Sequence, residues 1–348
     1  MPTRNALPYL DAAIESILGQ TFGDFEFLIR DDGSTDGTTE ALRDWARRDS
    51  RIRLHEGPQL GLAGSSNWVV REARAPIVAR MDADDVARSD RLERQMALFR
   101  QAPDLVLAGA LWTTIDGDDR VVRGPDFWRV FRRSCFAPFA HATIMFRRDA
   151  FAAAGGYRAV CEYWEDLEFA LRMGRVGRIA VIADDLLLHR ESRSSSRLVR
   201  AKEERIENAV EQMYRCLAAV AEGRSYDPLL ASAAGRQPPA RVRPMALVSI
   251  NSNRIWAGDR PRMVGRVLRR ARVGVNLRDF SALGWAALAA LSPTALRGAL
   301  RAIGAARNLL ARRKVVRGGV YSWDPHAVRA RRAVPLVEHG EELGARGA

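Results

Sequence analysis

The part of the chain most suited to chemistry is the segment Ile77–Asp85, an apolar run that ends in Asp82, Asp84 and Asp85. Neighbouring carboxylates repel one another, and they stay ionised most readily when a cation lies between them. Their oxygen atoms suit Mg²⁺ or Mn²⁺, so the segment predicts a divalent metal site with a phosphate beside it. The alternative is an acidic turn that only caps the following helix, because aspartate is common at turns and helix N-termini.

A second acidic pair, Asp31 and Asp32, follows the apolar segment Phe25–Arg30. Strand and helix patterns alternate at short spacing from there to Asp82, which predicts a parallel α/β sheet with helices on its faces. Ligands bind at the carboxyl ends of the strands in such sheets. The two acidic clusters are therefore expected to contribute to one site.

Apolar periodicity predicts the elements that must position these carboxylates. The predicted helices are 7–20, 65–74, 88–99, 162–172 and 198–221, and the predicted strands are 25–30, 52–55, 76–82, 105–111, 141–146 and two short ones within 179–190.

Charge divides the 348-residue chain into two unlike parts. Residues 1–196 hold 27 arginines against 30 acidic residues, whereas residues 197–348 hold 28 basic against 12 acidic residues, a net charge of +16. We therefore predict a catalytic domain over 1–196 and a basic, mainly helical region over 197–348. Such a region is expected to bind an anionic surface.

The basic region is predicted to place helices within 263–314 on an anionic membrane surface, with their arginines among the head groups. The alternatives are an ordinary helical subdomain and, more remotely, nucleic-acid binding, for which the chain carries no motif. Three cysteines without metal-ligand spacing indicate reduced thiols, and no run of 18 apolar residues occurs. The expected location is the cytoplasm, with peripheral attachment to the inner face of the cytoplasmic membrane.

Residues 2–190 resemble the family 2 glycosyltransferases, which are inverting enzymes of the GT-A fold. The motifs occur here in the family's order, and the resemblance covers most of the first half of the chain. They are Pro2-Thr3-Arg4-Asn5, Ser16-Ile17-Leu18-Gly19-Gln20-Thr21, Asp31-Asp32-Gly33-Ser34-Thr35-Asp36-Gly37, Gly61-Leu62-Ala63 with Asn67, Ala79-Arg80-Met81-Asp82-Ala83-Asp84-Asp85, Asp90-Arg91-Leu92 and Glu165-Asp166.

The resemblance implies a Rossmann-like mixed sheet flanked by helices and a metal-dependent transfer of a sugar. The implied donor is a nucleoside-diphosphate-sugar, with a UDP-sugar expected first, and the cofactor is Mg²⁺ or Mn²⁺. The implied acceptor is a carbohydrate or a lipid-linked sugar in the synthesis of cell-envelope polysaccharide or glycolipid, and no nucleic-acid partner is expected. The alternative is an inactive relative that keeps the fold as a binding or scaffold protein at the membrane surface.

Residue roles follow from the same resemblance. Asp32 is implied to bind the nucleotide base, with Pro2 and Thr3 also on the donor side, and Asp82 is implied to lie near the ribose and diphosphate. Asp84 is implied to bind the metal, and Asp166 to act as the general base. A carboxylate within hydrogen-bond reach of the acceptor hydroxyl can take its proton, and one base without a covalent intermediate inverts the anomeric centre.

Three further residues are secondary candidates: Glu165, His141 and His189. Glu165 and Asp166 could also serve only as acidic residues of a helix's first turn. The resemblance places His141 near the acceptor. Ser192 stands where many family members have a metal-binding histidine, so either His189 takes that part or the metal has fewer protein ligands.

The start of the chain departs from the family pattern. The family has an apolar strand before the motif that begins here at Pro2, and Met1 stands at the end of the expected position of that strand. We therefore expect further residues upstream of Met1.

Overall fold

The structure is a computed structural model, and its helices and strands form two sheets with flanking helices. Most of the predicted membrane-facing helices within 263–314 and most of the predicted helix 198–221 lie outside the described residues. The described residues are 1–127, 137–161, 163–191, 212–213, 216, 219–220, 224–231, 305–306, 309–310 and 315–324.

The first sheet has three parallel strands in the order β1 (Pro2–Thr3), β2 (Phe27–Asp31) and β3 (Ile52–Glu56). Helix α1 (Leu10–Leu18) and helix α2 (Thr38–Arg48) bury their apolar faces in the same core cluster as β2. This part of the chain confirms the predicted strand–helix alternation and its parallel pairing.

The second sheet has seven strands: β4 (Ile77–Ala79), β5 (Val86–Ala87), β6 (Leu105–Ile115), β7 (Val121–Arg123), β8 (Met145–Arg147), β9 (Arg178–Arg190) and β10 (Val320–Trp323). Its main path runs β10-β9-β6-β8-β4, with β5 on β9 and β7 on β6. The sheet is mixed, because β6 pairs in parallel with β9 whereas the other pairs are antiparallel.

The further helices are α3 (Gly61–Glu72), α4 (Arg91–Gln101), α5 (Arg148–Ala154), α6 (Glu165–Val176) and α7 (Asp227–Ala231). The predicted mixed sheet with flanking helices is confirmed.

Several predicted boundaries were wrong, and three of them bear on the site. Strand β9 is continuous rather than two strands, because shifts in its register with β6 absorb the irregular pattern. The segment His141–Thr143 is a 3₁₀ turn, since both the Thr143 N–H (2.9 Å) and its hydroxyl (2.7 Å) donate to the Ala140 carbonyl. Helix α3 begins at Gly61, earlier than predicted, because the Asp32 carboxylate accepts the free N–H groups at its start.

Described parts of the C-terminal half pack into the same core as the N-terminal domain. Strand β10 extends the mixed sheet on β9, and Met213, Cys216 and Tyr226 lie in one apolar cluster with Trp164. The domain boundary at residue 196 stays a prediction. Among the described residues, no helix combines the length and the apolar character needed to cross a membrane.

An apolar cavity of about 300 Å³ separates β2 from β4, between the two sheets. Met1 lies at its edge, and the buried Met1 amino group donates to the Leu28 carbonyl (2.7 Å). Burial, followed by repulsion from Arg80, lowers the pKa of this amino group to about 5. The strand expected before Pro2 stays a prediction.

The β10 strand offers a test of how strongly the C-terminal half is attached. Trp323 is buried and meets Phe139 edge to face, with ring centroids 5.4 Å apart. We expect Trp323→Ala to lower the free energy of unfolding by about 3–5 kcal/mol, the usual cost of emptying such a site. The control Val121→Ala, at a 66% exposed position, should change it by less than about 0.5 kcal/mol. Urea unfolding measures both, and equal small effects would contradict the packing role of β10.

Candidate active site

The acidic segment after β4 is tied to strand β9 through Asp85. This carboxylate is fully buried, and it accepts hydrogen bonds from the Arg190 backbone N–H (2.8 Å) and from Nδ1 of His189 (3.1 Å). The Arg190 side chain also donates from Nε to the Asp84 carbonyl (2.8 Å). Arg190 therefore holds the acidic segment at two points, the Asp85 carboxylate and the Asp84 carbonyl, a role that the sequence analysis missed.

Asp84 differs from its neighbours because its carboxylate has no hydrogen-bond partner among the described residues. Burial, followed by repulsion from Asp82 and Asp85, raises its pKa to about 7. A partly buried carboxylate beside two like charges gains most when a cation binds it. The geometry therefore makes Asp84 a candidate cation ligand, as the sequence predicted.

His189 lies beside the acidic segment, with its Nδ1 3.1 Å from the Asp85 carboxylate. Burial lowers its pKa, but the hydrogen bond with Asp85 and the surrounding carboxylates outweigh burial and raise it to about 8. Within the described part of the chain, no three His, Cys, Asp or Glu side chains converge as a ready-made metal site. The residues nevertheless fit Mg²⁺ or Mn²⁺, because such ions are commonly held by one or two carboxylates, with water and substrate phosphate as the other ligands.

Asp82 forms a buried ion pair with Arg80, a residue that the sequence analysis did not single out. Burial raises the pKa of Asp82, but the attraction of Arg80 and the nearby histidines outweighs burial, and the net shift is downward. The Arg80 side chain is 6% exposed, and its Nε has no hydrogen-bond partner among the described residues. Asp82 is therefore ionised and fixed in place.

Asp32 belongs to a similar pair, since Arg30, two residues earlier, donates to its Oδ1 (2.6 Å). Oδ1 also accepts from the Leu60 N–H and the Ser65 hydroxyl, whereas Oδ2 accepts only from the Gly61 N–H (2.9 Å). Burial raises the pKa of Asp32, but these hydrogen bonds outweigh it and lower the pKa. One oxygen of Asp32 therefore retains capacity to accept from a ligand.

The structure places Pro2 and Thr3 beside Asp32. Both lie in β1, paired with the end of β2, and the Asp32 N–H donates to the Thr3 carbonyl (2.8 Å). The Thr3 hydroxyl is buried without a hydrogen-bond partner among the described residues. A buried polar atom without a partner is costly, so this hydroxyl is poised for a ligand or a water molecule.

Glu165 and Asp166 open helix α6. Burial, followed by repulsion from Asp166, raises the pKa of Glu165 to about 7. Burial also raises the pKa of Asp166, while the Leu167 N–H, which donates to its carboxylate (2.7 Å), and the charge of Arg80 oppose the rise. Because Arg80 acts on Asp166 and also pairs with Asp82, the two acidic groups belong to one electrostatic site.

His141 approaches this site from the 3₁₀ turn before β8. Its Nε2 is 2.9 Å from the Tyr157 hydroxyl, and Tyr157 is a further residue that the sequence analysis missed. Burial, followed by repulsion from Arg80, lowers the pKa of His141 well below its usual range. The site therefore contains a neutral histidine near Asp82. No feature of the sequence pattern pointed to Tyr157 or to the buried arginines.

The domain thus combines an α/β fold, acidic residues that follow its strands, an open carboxylate at Asp84 and a second carboxylate pair in the first turn of α6. The model of the family "Glycosyl transferase family 2" matches residues 1–155. Over these residues the chain is therefore similar to the enzymes of glycosyl transferase family 2.

Curated relatives support the same family. The chain is 29% identical to chondroitin synthase of Escherichia coli over 62% of its own length and 32% of that protein. It is 33% identical to the putative glycosyltransferase EpsE of Bacillus subtilis over 48% of its own length and 63% of that protein. The chain thus spans less than two thirds of each of these relatives.

Among solved structures, a mannosyltransferase from Pyrobaculum calidifontis in complex with GDP-Man and Mn²⁺ is 18% identical. The comparison covers 90% of this chain and 84% of that chain, with a TM-score of 0.47.

The neighbours Asp84 and Asp85 should respond in opposite ways to removal of the carboxylate. Asp85→Ala leaves the Arg190 N–H and His189 without their buried partner, so we expect the free energy of unfolding to fall by about 3–5 kcal/mol. Asp84→Ala removes a carboxylate that repels its neighbours, so we expect a gain of about 1–2 kcal/mol above pH 7. A shift from 3.8 to about 7 corresponds to about 4 kcal/mol at most, and partial exposure reduces it.

The pH dependence of the Asp84→Ala effect follows from the sign of the shift. The pKa is raised in the folded state, so the carboxylate destabilises the fold increasingly from pH 4 to pH 7 and by a constant amount above pH 7. The gain from Asp84→Ala should therefore fade as the pH falls toward 4. Urea unfolding with a chelator present measures it, and a loss of stability at pH 8 would contradict the assignment.

Proposed function

We propose that the chain is a metal-dependent, inverting glycosyltransferase that moves a sugar from a nucleoside-diphosphate-sugar to an acceptor hydroxyl. One observation carries this proposal: Arg80 acts electrostatically on both the open carboxylate of Asp84 and the partly buried carboxylate of Asp166. The first suits the donor's diphosphate with its cation, and the second suits a general base.

The donor half of the site is assigned to five residues. When bound, a divalent cation held by Asp84, with His189 as a second ligand, supplies positive charge to the departing diphosphate. Asp32 has an oxygen free to accept an N–H of the nucleotide base. Thr3 lies beside it, and its buried hydroxyl has no hydrogen-bond partner in the described part of the chain. Asp82, held by Arg80, is assigned to the ribose and diphosphate.

Asp166 is assigned as the base that removes the acceptor's proton. Its pKa is raised by burial, and a base whose pKa approaches the working pH takes a proton most effectively. The acceptor oxygen then forms the bond to the anomeric carbon as the bond to the diphosphate breaks. Because the attack occurs once, from the side opposite the leaving group, the anomeric configuration inverts.

The substrate class is proposed from the relatives. They include proteins named chondroitin synthase, hyaluronan synthase and an amylovoran biosynthesis glycosyltransferase. We propose a UDP-sugar donor and a carbohydrate or lipid-linked acceptor in the synthesis of an envelope polysaccharide or glycolipid. The +16 net charge of residues 197–348 supports a peripheral position on the cytoplasmic face of the membrane.

A panel assay tests this function. The purified chain with Mn²⁺ is supplied with UDP-, GDP- and dTDP-sugars, each with chondroitin, hyaluronan and lipid-linked oligosaccharide acceptors, and release of the nucleoside diphosphate is followed. We expect one donor class to be consumed in an acceptor-dependent manner. No acceptor-dependent release with any pair would contradict the proposal.

Asp166→Asn keeps the size of the side chain and removes the base. We expect kcat to fall by about 10²- to 10⁴-fold, the usual contribution of a general base, with little change in the donor KM. The matched variant Glu165→Gln alters the adjacent carboxylate and should lower kcat by less than tenfold, or about 1.4 kcal/mol. Steady-state kinetics on the active substrate pair measures both, and a larger loss for Glu165→Gln would transfer the role of base to Glu165.

A further inference from the structure

The hydrogen-bonded pair of His141 and Tyr157 stands apart from the acidic residues of the site. Nε2 of His141 lies 2.9 Å from the Tyr157 hydroxyl, and the two rings meet edge to face with centroids 5.4 Å apart. The pair joins the turn before β8 to the segment before α6. Its direction, meaning which of the two groups donates, decides what His141 can offer to a substrate.

Tyr157 is held by contacts that leave its hydroxyl little freedom. Asn67 donates from its amide to the Tyr157 carbonyl (2.9 Å) and accepts from the Tyr157 N–H (2.8 Å). The Tyr157 ring packs against Phe169 with centroids 4.6 Å apart. Gly156, at φ 66°, lets Asn67 approach so closely that a Cβ there would lie 2.8 Å from its Oδ1. The hydroxyl is thus positioned by the backbone and by the core together.

The direction of the hydrogen bond between His141 and Tyr157 follows from the need of the buried phenolic proton for an acceptor. Tyr157 is 4% exposed, and Nε2 of His141 is the partner of its hydroxyl within the described residues. If Nε2 donated to the hydroxyl oxygen, the phenolic proton would be buried without an acceptor, at a substantial cost. Burial also raises the pKa of Tyr157, so the phenol keeps its proton. The hydroxyl therefore donates, and Nε2 accepts.

A neutral imidazole that accepts at one nitrogen carries its proton on the other. His141 is neutral, since burial and the nearby Arg80 disfavour its charged form and lower its pKa. His141 is half-buried, and its Nδ1 has no hydrogen-bond partner among the described residues. Nδ1–H is thus an accessible donor beside Asp82.

We propose that Tyr157 is a positioning residue that locks His141 in its Nδ1–H tautomer, so that His141 donates a hydrogen bond to a substrate oxygen. The tautomer follows from the hydrogen-bond geometry and the burial of the pair, whereas the substrate contact rests on the proposed function. A neutral donor suits this position because it binds an oxygen without forming an ion pair with Asp82. The oxygen is a sugar hydroxyl, of either the donor or the acceptor.

The tautomer is tested by ¹⁵N NMR of the histidine ring nitrogens of the full chain, with His141→Gln used to assign the signal. We expect Nδ1 to be protonated and Nε2 unprotonated in the wild type between pH 6 and pH 8. Tyr157→Phe keeps the packed ring and deletes only the donor, so the pattern should move toward protonated Nε2. Protonated Nε2 in the wild type, or no change in Tyr157→Phe, would overturn the proposal.

Tyr226→Phe is the matched control for loss of a buried hydroxyl. The Tyr226 hydroxyl donates to Glu168 Oε1 (3.1 Å), and Tyr226 is 1% exposed. Its removal should lower stability as much as Tyr157→Phe does, but it should leave the His141 spectrum unchanged. If the His141 spectrum also changed in Tyr226→Phe, the signal would report a loss of stability rather than the loss of the Tyr157 hydroxyl, and this result would count against the proposal.

Kinetics tests the contact with substrate and identifies its source. Tyr157→Phe should lower kcat/KM about three- to tenfold, the range expected for a neutral hydrogen bond, whereas Tyr226→Phe should not. A rise confined to the donor KM assigns the oxygen to the transferred sugar, and one confined to the acceptor KM assigns it to the acceptor. An unchanged kcat/KM in Tyr157→Phe, in a wild type that transfers sugar, would overturn the contact. If the wild type transferred no sugar in any assay, the proposed function would be contradicted. The NMR experiment would still test the tautomer of His141.

Discussion

The hydrogen bonds between Asp85 and strand β9 are the constraint on which the rest of the site depends. Three carboxylates lie within four residues, and their mutual repulsion would open the segment if nothing held it. The buried Asp85 carboxylate accepts a hydrogen bond from the Arg190 N–H. The Arg190 side chain donates to the Asp84 carbonyl, and its guanidinium lies 4.3 Å from the ring centre of Tyr9. With the backbone fixed in this way, Asp84 is left as the carboxylate that a cation can reach.

Buried arginines balance the charges that remain. Arg80 pairs with Asp82, and Arg30 pairs with Asp32, in each case across two residues at the end of a strand. Side chains two residues apart in a strand point to the same face, so each arginine is well placed to fix the aspartate that follows. Arg80 also favours the ionised form of Asp166, which relates the proposed donor half of the site to the proposed acceptor half.

Much of the fold, and the positions of the acidic residues, could be predicted because both are local properties of the sequence. Apolar alternation located strands β2 and β3 of the parallel sheet, and the clustered aspartates stood out by their spacing. The missed features depend on contacts between distant residues. Asp85 and Arg190 are 105 positions apart, and Asn67 and Tyr157 are 90 positions apart. A local sequence pattern therefore predicts neither pair. The start of α3 was misplaced for the same reason, since Asp32 binds it from 29 positions away.

Calorimetric titration of Mn²⁺ into the full chain with UDP present tests the central claim most directly. The account predicts one site per chain, lost in Asp84→Asn and kept in Asp90→Asn, whose carboxylate is exposed and lies near Arg94. It also predicts proton release on binding near pH 7, because Asp84 and His189 have pKa values of about 7 and about 8. Equal Mn²⁺ affinity in the wild type and Asp84→Asn, or no binding with UDP, GDP or dTDP, would contradict the account.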